Sequence, residues 1–298
     1  MVSVVMITYG HEEFISQAIN SILEQECNFE FELIVANDHS PDETDKVVVE
    51  LINRHPKGKS VRYFNHDENI GMAANFAYAL YEAKGEFIAI CEGDDYWIDP
   101  TKLQRQVDFL RTHNEYILVT ENGQVLNTIN NTKYDFNHSP EGDIDINSLL
   151  LKRQFPTASV LFRSIFLDDT IKTLNYHGDT ILWCYLAMKG KVKYFPIVSS
   201  VYRRGMQGIV ESTNKLKWAS LMECWNNEIS GFLPNNFDRN IFNERNYSEY
   251  WKAMISSLQE KKYSNAFICI KKCAAIKPVS TVNSVIKFYL DKILRKSV

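Results

Sequence analysis

Apolar stretches alternate with helical patterns along the first part of the chain. Runs rich in β-branched residues are typical of buried parallel strands. The predicted strands are 2–8, 31–36, 61–64 and 87–91. Apolar residues at helical spacing separate them. The predicted helices are 12–25, 40–53, 71–83 and 99–113. This alternation predicts βαβ units in an α/β fold, with a mixed, mostly parallel sheet flanked by helices.

Two helix starts are predicted from a capping side chain followed by proline. Ser40-Pro41 and Asp99-Pro100 each place a short polar residue at the cap and proline at the first helical position. We therefore expect helices to begin at these two pairs.

The regular alternation ends near residue 120. Residues 122–140 predict hairpins or a long loop, 180–189 a helix, and 192–202 two edge strands. From residue 214 the chain shows long helical patterns. We therefore predict an α/β catalytic domain over 1–210 and a helical region over 211–298.

Composition narrows the classes of partner. The net charge is -4, so no overall positive field favours nucleic acid. Six cysteines lie scattered without a CxxC pair, which favours a reducing compartment. The N-terminus has no basic leader, and no run approaches the roughly 18 apolar residues of a membrane span. These features predict a cytoplasmic protein that does not bind nucleic acid.

Polar clusters follow three of the apolar segments, at 36–40, 92–95 and 177–179. In an open α/β sheet, loops at the carboxyl ends of the strands form the ligand crevice. A carboxylate such as Asp38 can there accept a hydrogen bond from a uracil N–H or a ribose hydroxyl. The alternative for Asp38 is an Asx turn into the following helix.

The segment Glu92-Gly93-Asp94-Asp95 carries three acids within four residues. Such acids repel one another unless a cation or hydrogen-bond donors neutralise them. Mg²⁺ and Mn²⁺ prefer oxygen ligands and leave positions open for phosphates. The segment therefore predicts a divalent-cation site, against the alternative of an acidic surface turn.

Three further features have two interpretations each. The segment Asn69-x-Gly71 is a candidate phosphate-binding site, because it precedes a helix whose free N–H groups attract anions; the alternative is a simple turn. Asp179 is a candidate general base or a helix cap. Arg203 and Arg204 are candidate ligands of a diphosphate or a solvated pair.

Taken together, these segments resemble the family 2 inverting glycosyltransferases with the GT-A fold, of the type that builds bacterial cell-envelope polysaccharides. The matching segments are 2–9 (VSVVMITY), 37–42 (NDHSPD), 69–75 (NIGMAAN), 92–103 (EGDDYWIDPTKL), 177–179 (HGD) and 202–203 (YR). They span about residues 1–210. Three positions depart from the common pattern: Asn37 and Glu92 replace aspartates, and Gly205 stands where many relatives have histidine.

The resemblance implies a role for each matched residue. The nucleotide-sugar donor is assigned to Thr8, Tyr9, Asp38, Asn69, Gly71, Asn75, Asp94, Arg203 and Arg204. The metal, Mn²⁺ or Mg²⁺, is assigned to the DxD-type element, with Asp95 as the direct ligand beside Asp94. Asp179 corresponds to the general base.

The implied reaction moves a sugar, with inversion, from a nucleotide donor to a hydroxyl of a glycan or lipid-linked glycan. UDP is the family's usual nucleotide. Two alternatives stay open: a metal-dependent nucleotidyltransferase, and a non-catalytic interaction protein that uses the helical hairpin around 250–278. The sequence specifies neither the oligomeric state nor the donor sugar.

The last segment, 280–298, combines apolar and basic positions in an amphipathic helical pattern. One interpretation is weak peripheral docking at the inner face of an anionic membrane. The other is that its apolar face packs on the preceding helices.

Overall fold

A computed structural model describes residues 1–166, 179–205 and 214–282. The chain divides into two compact units, Met1–Met206 and Gln207–Val298.

The first unit is built on one sheet with helices against it. Strands β1 to β5 are Val2–Thr8, Phe31–Asn37, Val61–Asn65, Phe87–Ile90 and Tyr96–Trp97. Strands β6 to β10 are Tyr116–Asn127, Thr132–Asp135, Gly142–Asp143, Leu161–Arg163 and Lys191–Arg204. Helices α1 to α6 are Ile15–Leu23, Thr44–Arg54, Met72–Glu82, Lys102–Thr112, Ile146–Leu151 and Asp179–Ala187.

The strand order is β3-β2-β1-β4-β9-β6-β10-β5, with β7 beside β6 and β8 beside β10. Pairing is parallel among β3, β2, β1 and β4, and again between β6 and β10. The pairs that β9, β7, β8 and β5 make are antiparallel. This mixed sheet with flanking helices confirms the predicted fold class.

Apolar residues of β1 and β2 form the core because both faces of these strands are covered. Helix α1 buries one face against them through Ile15, Ala18, Ile19, Ile22 and Leu23. Each fully buried branched side chain of this kind contributes about 1.5–3 kcal/mol. The core thereby fixes the carboxyl ends of β1, β2 and β4 at a common edge, where the polar clusters lie.

Both predicted helix starts are wrong by a few residues. Ser40 Oγ lies 2.5 Å from Asn37 Oδ1 and accepts the Gly10 N–H at 3.0 Å, so it closes a loop and caps no helix. Helix α2 accordingly begins at Thr44. Asp99 Oδ1 accepts the Thr101 N–H at 2.8 Å in an Asx turn, and α4 begins after it.

The prediction of two edge strands over 192–202 is also wrong. The segment is one 14-residue strand, β10, inside the sheet. It pairs with β6 along one side and with β5 and β8 along the other. Its register shifts between Phe195 and Ser200, around Pro196, which has no N–H to donate. The local break in strand pattern therefore marks a bulge.

Within residues 214–282, the described part of the second unit, three long helices are present: α7 to α9, which are Lys215–Phe232, Asn240–Gln259 and Tyr263–Ile276. They confirm the predicted change to helical structure. Their shared core comprises Ala219, Tyr250, Ala253, Met254, Ala266, Cys269 and Cys273. Of the predicted amphipathic segment 280–298, residues 283–298 lie outside the described residues. Among the described helices, none has the length and hydropathy needed to cross a bilayer.

Candidate active site

Asp38, directly after β2, holds the loop over residues 69–71, which follows β3, through its carboxylate. Its Oδ1 accepts the Ile70 N–H at 2.7 Å, and its Oδ2 accepts the Gly71 N–H at 3.0 Å. The Asn69 side-chain amide donates to the Asp38 carbonyl at 3.1 Å. Gly71 has φ +88°, a conformation that favours glycine. The anion at the start of α3 is therefore the protein's own Asp38, which fixes the loop over residues 69–71.

Two buried amides support this loop from below. Asn75 donates to the Ala36 carbonyl at 2.9 Å and contacts His66 Nε2 through Oδ1 at 2.9 Å. Asn37 donates to the Tyr63 hydroxyl at 3.0 Å and accepts from Ser40. Both side chains are almost fully buried. The structure thus places Asn75 beneath the crevice, where it positions the loop.

The end of β1 meets the acidic turn directly. Thr8 is buried, and its Oγ1 lies 3.1 Å from His11 Nδ1. A Cβ added at Gly93 would lie 2.7 Å from Thr8 Oγ1 and 3.0 Å from His11 Nδ1. Only glycine fits there. Tyr9, next along the chain, has an exposed side chain at the mouth of this region.

The acidic turn, residues 92–95, follows β4 and carries an unsatisfied carboxylate. Asp95 is fully buried, and its Oδ1 accepts the Arg203 N–H at 2.8 Å. Its Oδ2 is buried and has no hydrogen-bond partner among the described residues. Burial raises the pKa of Asp95 well above its usual value, and the charges of Asp94 and Glu92 add to the increase.

Glu92 shares this environment. Burial raises the pKa of the Glu92 carboxyl to about 8, and the negative charge of Asp94 acts in the same direction. The positive charge of Arg153 opposes the increase, while Asp179 adds to it. The charges of Asp179 and Arg153 therefore act on the same carboxyl as that of Asp94.

Arg203 braces the turn. Its backbone N–H binds Asp95, and its Nη1 donates to the Asp94 carbonyl at 2.5 Å. The guanidinium also bonds to Gln17 and lies 4.4 Å from the ring centre of Tyr96. Burial lowers the pKa of Arg203, against the opposing charges around it. Arg204 follows with an exposed side chain, and its carbonyl accepts from the Thr128 N–H.

Asp179 lies at the first residue of α6, across the site from the turn. Its Oδ2 accepts from the Thr157 hydroxyl at 2.5 Å and from Arg153 Nη2 at 3.1 Å. Arg153 Nη2 also donates to Thr157 Oγ1 at 2.6 Å. The other motif residues of this segment, His177 and Gly178, lie outside the described residues.

A short turn, Thr157–Ser159, connects these groups through the core. The Trp97 indole donates to the Ala158 carbonyl at 2.7 Å. Gln106 bonds to the Ser159 carbonyl at 2.8 Å and accepts from the buried Lys102 ammonium at 2.7 Å. Burial lowers the pKa of Lys102 to about 8. Trp97, which follows the acidic turn, and Thr157, which bonds to Asp179, are thus connected through the short turn Thr157–Ser159.

The donor set of the acidic turn fits a divalent cation in part. Within ranges 1–166, 179–205 and 214–282, no three or more His, Cys, Asp or Glu side chains converge as metal ligands. Asp95 nevertheless offers a buried oxygen without a partner, with Asp94 and Glu92 close by. Mg²⁺ and Mn²⁺ are commonly held by one or two carboxylates together with water and phosphate oxygens. Asp95 and Asp94 are therefore suitable ligands for such an ion.

Three residues near the site, Arg153, Thr157 and His11, were not predicted from the sequence. Arg153 belongs to no periodic pattern, and Thr157 follows a proline in an irregular segment. His11 lies two positions beyond the matched segment 2–9. Burial lowers the pKa of His11, and the negative charge of nearby Asp94 opposes this decrease. These residues are far from the acidic turn in sequence, and only folding brings them to the site.

Sequence comparison matches residues 3–168 to a family model described as glycosyl transferase family 2. An uncharacterized protein of Mycobacterium tuberculosis (strain ATCC 25618 / H37Rv) is 34% identical over 211 residues, 70% of this chain. The aligned region spans 60% of that relative's length. An uncharacterized glycosyltransferase of Haemophilus influenzae is 28% identical over 231 residues, covering 74% of this chain and 84% of the relative.

Solved structures show the same fold. S. aureus TarS 1-349 in complex with UDP-GlcNAc matches with a TM-score of 0.65 at 15% identity, over 94% of this chain and 82% of that one. The mannosyltransferase PcManGT from Pyrobaculum calidifontis, in complex with GDP-Man and Mn²⁺, matches with a TM-score of 0.60 at 16% identity, over 98% of this chain and 80% of that one. At these identities the likeness concerns the fold alone. Because the family model covers more than half of the chain, the predicted resemblance is confirmed and the protein belongs to glycosyl transferase family 2.

Proposed function

We propose that the protein transfers a sugar, with inversion, from a nucleotide-sugar donor to a hydroxyl group of a glycan or lipid-linked glycan. The observation that carries the proposal is the acidic turn after β4, where Asp95 keeps a buried oxygen without a partner among the described residues. Such a turn suits a cation and a diphosphate, and we assign Asp179 as the separate carboxylate that acts as base. The neighbouring structures in complex with UDP-GlcNAc and GDP-Man support a nucleotide sugar as donor.

The nucleoside end of the donor is assigned to the loops after β1, β2 and β3. Thr8, Tyr9 and Asp38 border this region, and Asn69 and Gly71 form its rim through their bonds with Asp38. A carboxylate has further lone pairs after accepting two N–H groups. Asp38 can therefore still accept from a base or a ribose hydroxyl. We favour UDP as the nucleotide, as the family resemblance implies.

The diphosphate end is assigned to the acidic turn. Asp95 and Asp94 would hold Mn²⁺ or Mg²⁺, which when bound neutralises negative charge on the leaving diphosphate. Arg203 fixes the turn through Asp94 and Asp95, and Arg204 follows at the end of β10. The turn is thus held in place before the donor arrives, and a bound cation would balance its negative charge.

In the proposed reaction, Asp179 accepts the proton of the acceptor hydroxyl. The oxygen forms a bond to the anomeric carbon as the bond from that carbon to the diphosphate oxygen breaks. A single displacement of this kind inverts the configuration at the anomeric carbon. General-base catalysis supplies about 10²–10⁴-fold, and orientation and charge stabilisation supply the remainder.

Thermal-shift measurements with UDP-GlcNAc and GDP-Man, each with and without Mn²⁺, test donor binding. A ligand at 100 times its Kd stabilises the folded state by about 2.7 kcal/mol. We expect a metal-dependent increase in Tm with one of the two donors, and none with Mn²⁺ and free sugar. Product analysis then separates transfer from nucleotidyl chemistry, since a nucleotidyltransferase would release pyrophosphate. Absence of any donor effect would contradict the proposal.

A further inference from the structure

Two side chains outside the matched motifs hold the same oxygen of Asp179. We propose that Arg153 and Thr157 form a clamp that fixes Oδ2 of Asp179 and leaves Oδ1 to take the proton of the acceptor hydroxyl. The inference rests on the proposed function, because it takes Asp179 as the general base. Arg153 and Thr157 act through Asp179, so both are positioning residues.

The hydrogen bonds distinguish the two oxygens of Asp179. Oδ2 accepts from Thr157 Oγ1 at 2.5 Å and from Arg153 Nη2 at 3.1 Å. Among the described residues, Oδ1 is contacted by Thr180 Oγ1, at a long 3.4 Å. A carboxylate group otherwise rotates broadly about its terminal torsion. With Oδ2 held twice, the lone pairs of Oδ1 keep one direction, as proton abstraction requires.

The clamp itself is held in place on both sides. The Arg153 guanidinium lies 5.0 Å from the ring centre of Tyr202 and 5.7 Å from that of Phe136, so two aromatic rings fix its position. Thr157 is 3% exposed, and its branched side chain has few rotamers to choose from. Its turn is anchored to the core by the Trp97 indole, which bonds to the Ala158 carbonyl.

Charge gives a second reason for an arginine at this position. Partial desolvation alone would lower the pKa of Arg153, whose side chain is 35% exposed, but the acids Asp179, Glu92 and Asp95 outweigh it and raise the pKa. The charge of Arg153 therefore acts on Asp179, which it contacts at 3.1 Å, and on the acids of the turn, and it screens the repulsion between them. Both bonds come from Nη2, and the planar guanidinium also lies against the rings of Tyr202 and Phe136, which a lysine ammonium would not reproduce.

The test measures release of nucleoside diphosphate from UDP-GlcNAc and GDP-Man in the presence of Mn²⁺, with water as acceptor. Arg153→Ala and Thr157→Val should each lower kcat about tenfold or more, because small misplacements of a reacting group have large effects. The donor KM should stay within about twofold of wild type, since the nucleotide contacts are intact. Thr157→Ser keeps the hydroxyl and should retain most activity. Lys152→Ala, an exposed neighbouring cation, is the matched control.

A double-mutant cycle separates the clamp from other effects of the arginine. In an Asp179→Asn background, Arg153→Ala should cause no further loss of kcat. A further tenfold loss there would show that Arg153 acts on the donor or the metal, and would overturn the clamp. Normal kcat in both Arg153→Ala and Thr157→Val would overturn it too, while a slow Asp179→Asn enzyme would leave the general base standing.

Guanidinium ion at roughly tens of millimolar gives a readout that a loss of folding cannot imitate. It should restore part of the kcat of Arg153→Ala, but none in the Arg153→Ala/Asp179→Asn double variant. If Asp179→Asn alone turns over at the wild-type rate, the proposed base fails and the clamp with it. Wild-type protein in which neither donor raises Tm with Mn²⁺ contradicts the proposed function, whatever the variants of Arg153 and Thr157 show.

Discussion

The two sides of the crevice differ in how well their polar groups are satisfied. On the nucleoside side, Asp38 binds two N–H groups of the 69–71 loop, and both buried amides below it have partners. On the reaction side, Asp95 keeps a buried oxygen without a partner among the described residues, and Glu92 and Asp94 crowd it. One side is complete without a ligand, and the other holds uncompensated negative charge.

The two sides therefore have different roles: the nucleoside side provides a preformed binding surface, and the reaction side provides charged groups. A loop fixed by satisfied hydrogen bonds presents a ready-made surface, so the donor's nucleoside need not order it on binding. A crowded acidic turn is costly alone and becomes favourable when a cation and its ligands neutralise it. We infer that the folded state carries an electrostatic cost on the reaction side that the bound donor and metal remove.

The largest effect is expected at the general base. Asp179→Asn keeps the shape and can still accept from Thr157 and Arg153, but it loses basicity. Transfer should fall about 10²-fold or more, with donor affinity little changed. Turnover measured beside nucleotide affinity checks this, and near-normal turnover would make Asp179 a helix cap only.

A mutation on the nucleoside side should lower the free energy of unfolding of the protein. Asp38→Ala removes the acceptor of the Ile70 and Gly71 N–H groups, and unfolding in urea should show a loss of about 1–3 kcal/mol. Donor affinity should fall as the 69–71 loop loosens. Asp67→Ala, in an exposed neighbouring loop, is a control. An unchanged urea midpoint for Asp38→Ala would contradict the account of this side.

A buried cation behind the reaction side gives a pH-dependent prediction. Burial lowers the pKa of Lys102 to about 8, below the roughly 10.4 of an unfolded lysine. Between these values the unfolded chain binds more protons than the folded one, so this group makes the protein more stable as pH rises. Relative to Lys102→Met, wild type should gain about 1.5 kcal/mol from pH 8 to 9.5. If the stability of the two proteins changed with pH in the same way, the lowered pKa of Lys102 would be contradicted.

The smallest effect is expected at Asp95 without metal, and its sign opposes that of Asp38→Ala. Asp95→Asn removes one of the crowded charges while keeping an oxygen for the Arg203 N–H. The metal-free variant should equal wild type in stability or exceed it by up to about 1 kcal/mol. Urea unfolding in the presence of a chelator measures this. A clear loss of stability would mean that Asp95 is already well compensated in the free protein.

Much of the fold could be predicted from local pattern. The four leading strands and their helices have strong apolar periodicity, so their existence and type follow from the sequence. The helix start at Ser40 was wrong because Ser40 binds the Gly10 N–H of another loop, and the start at Asp99 was wrong because Asp99 closes a local Asx turn with Thr101. The long β10 was missed because the bulge around Pro196 interrupts its pattern.

The candidate site was predictable only where chemistry and strand ends coincide. Asp38 and the acidic turn follow apolar strands directly, so their position at the crevice could be foreseen. Arg153 and Thr157 reach Asp179 from a separate, irregular segment, and no spacing in the sequence connects them. The contact between Gly93 and Thr8 was likewise invisible, because it depends on how closely β1 and β4 approach.

Calorimetric titration of nucleotide into wild type and Asp95→Asn, with Mn²⁺ and with chelator, tests the central claim most directly. UDP and GDP serve as probes. We predict that wild type binds one nucleotide at least tenfold more tightly with Mn²⁺, and that Asp95→Asn, though as stable as wild type, loses this metal dependence. Equal affinity with and without Mn²⁺ in wild type, or an unchanged metal effect in Asp95→Asn, would contradict the account.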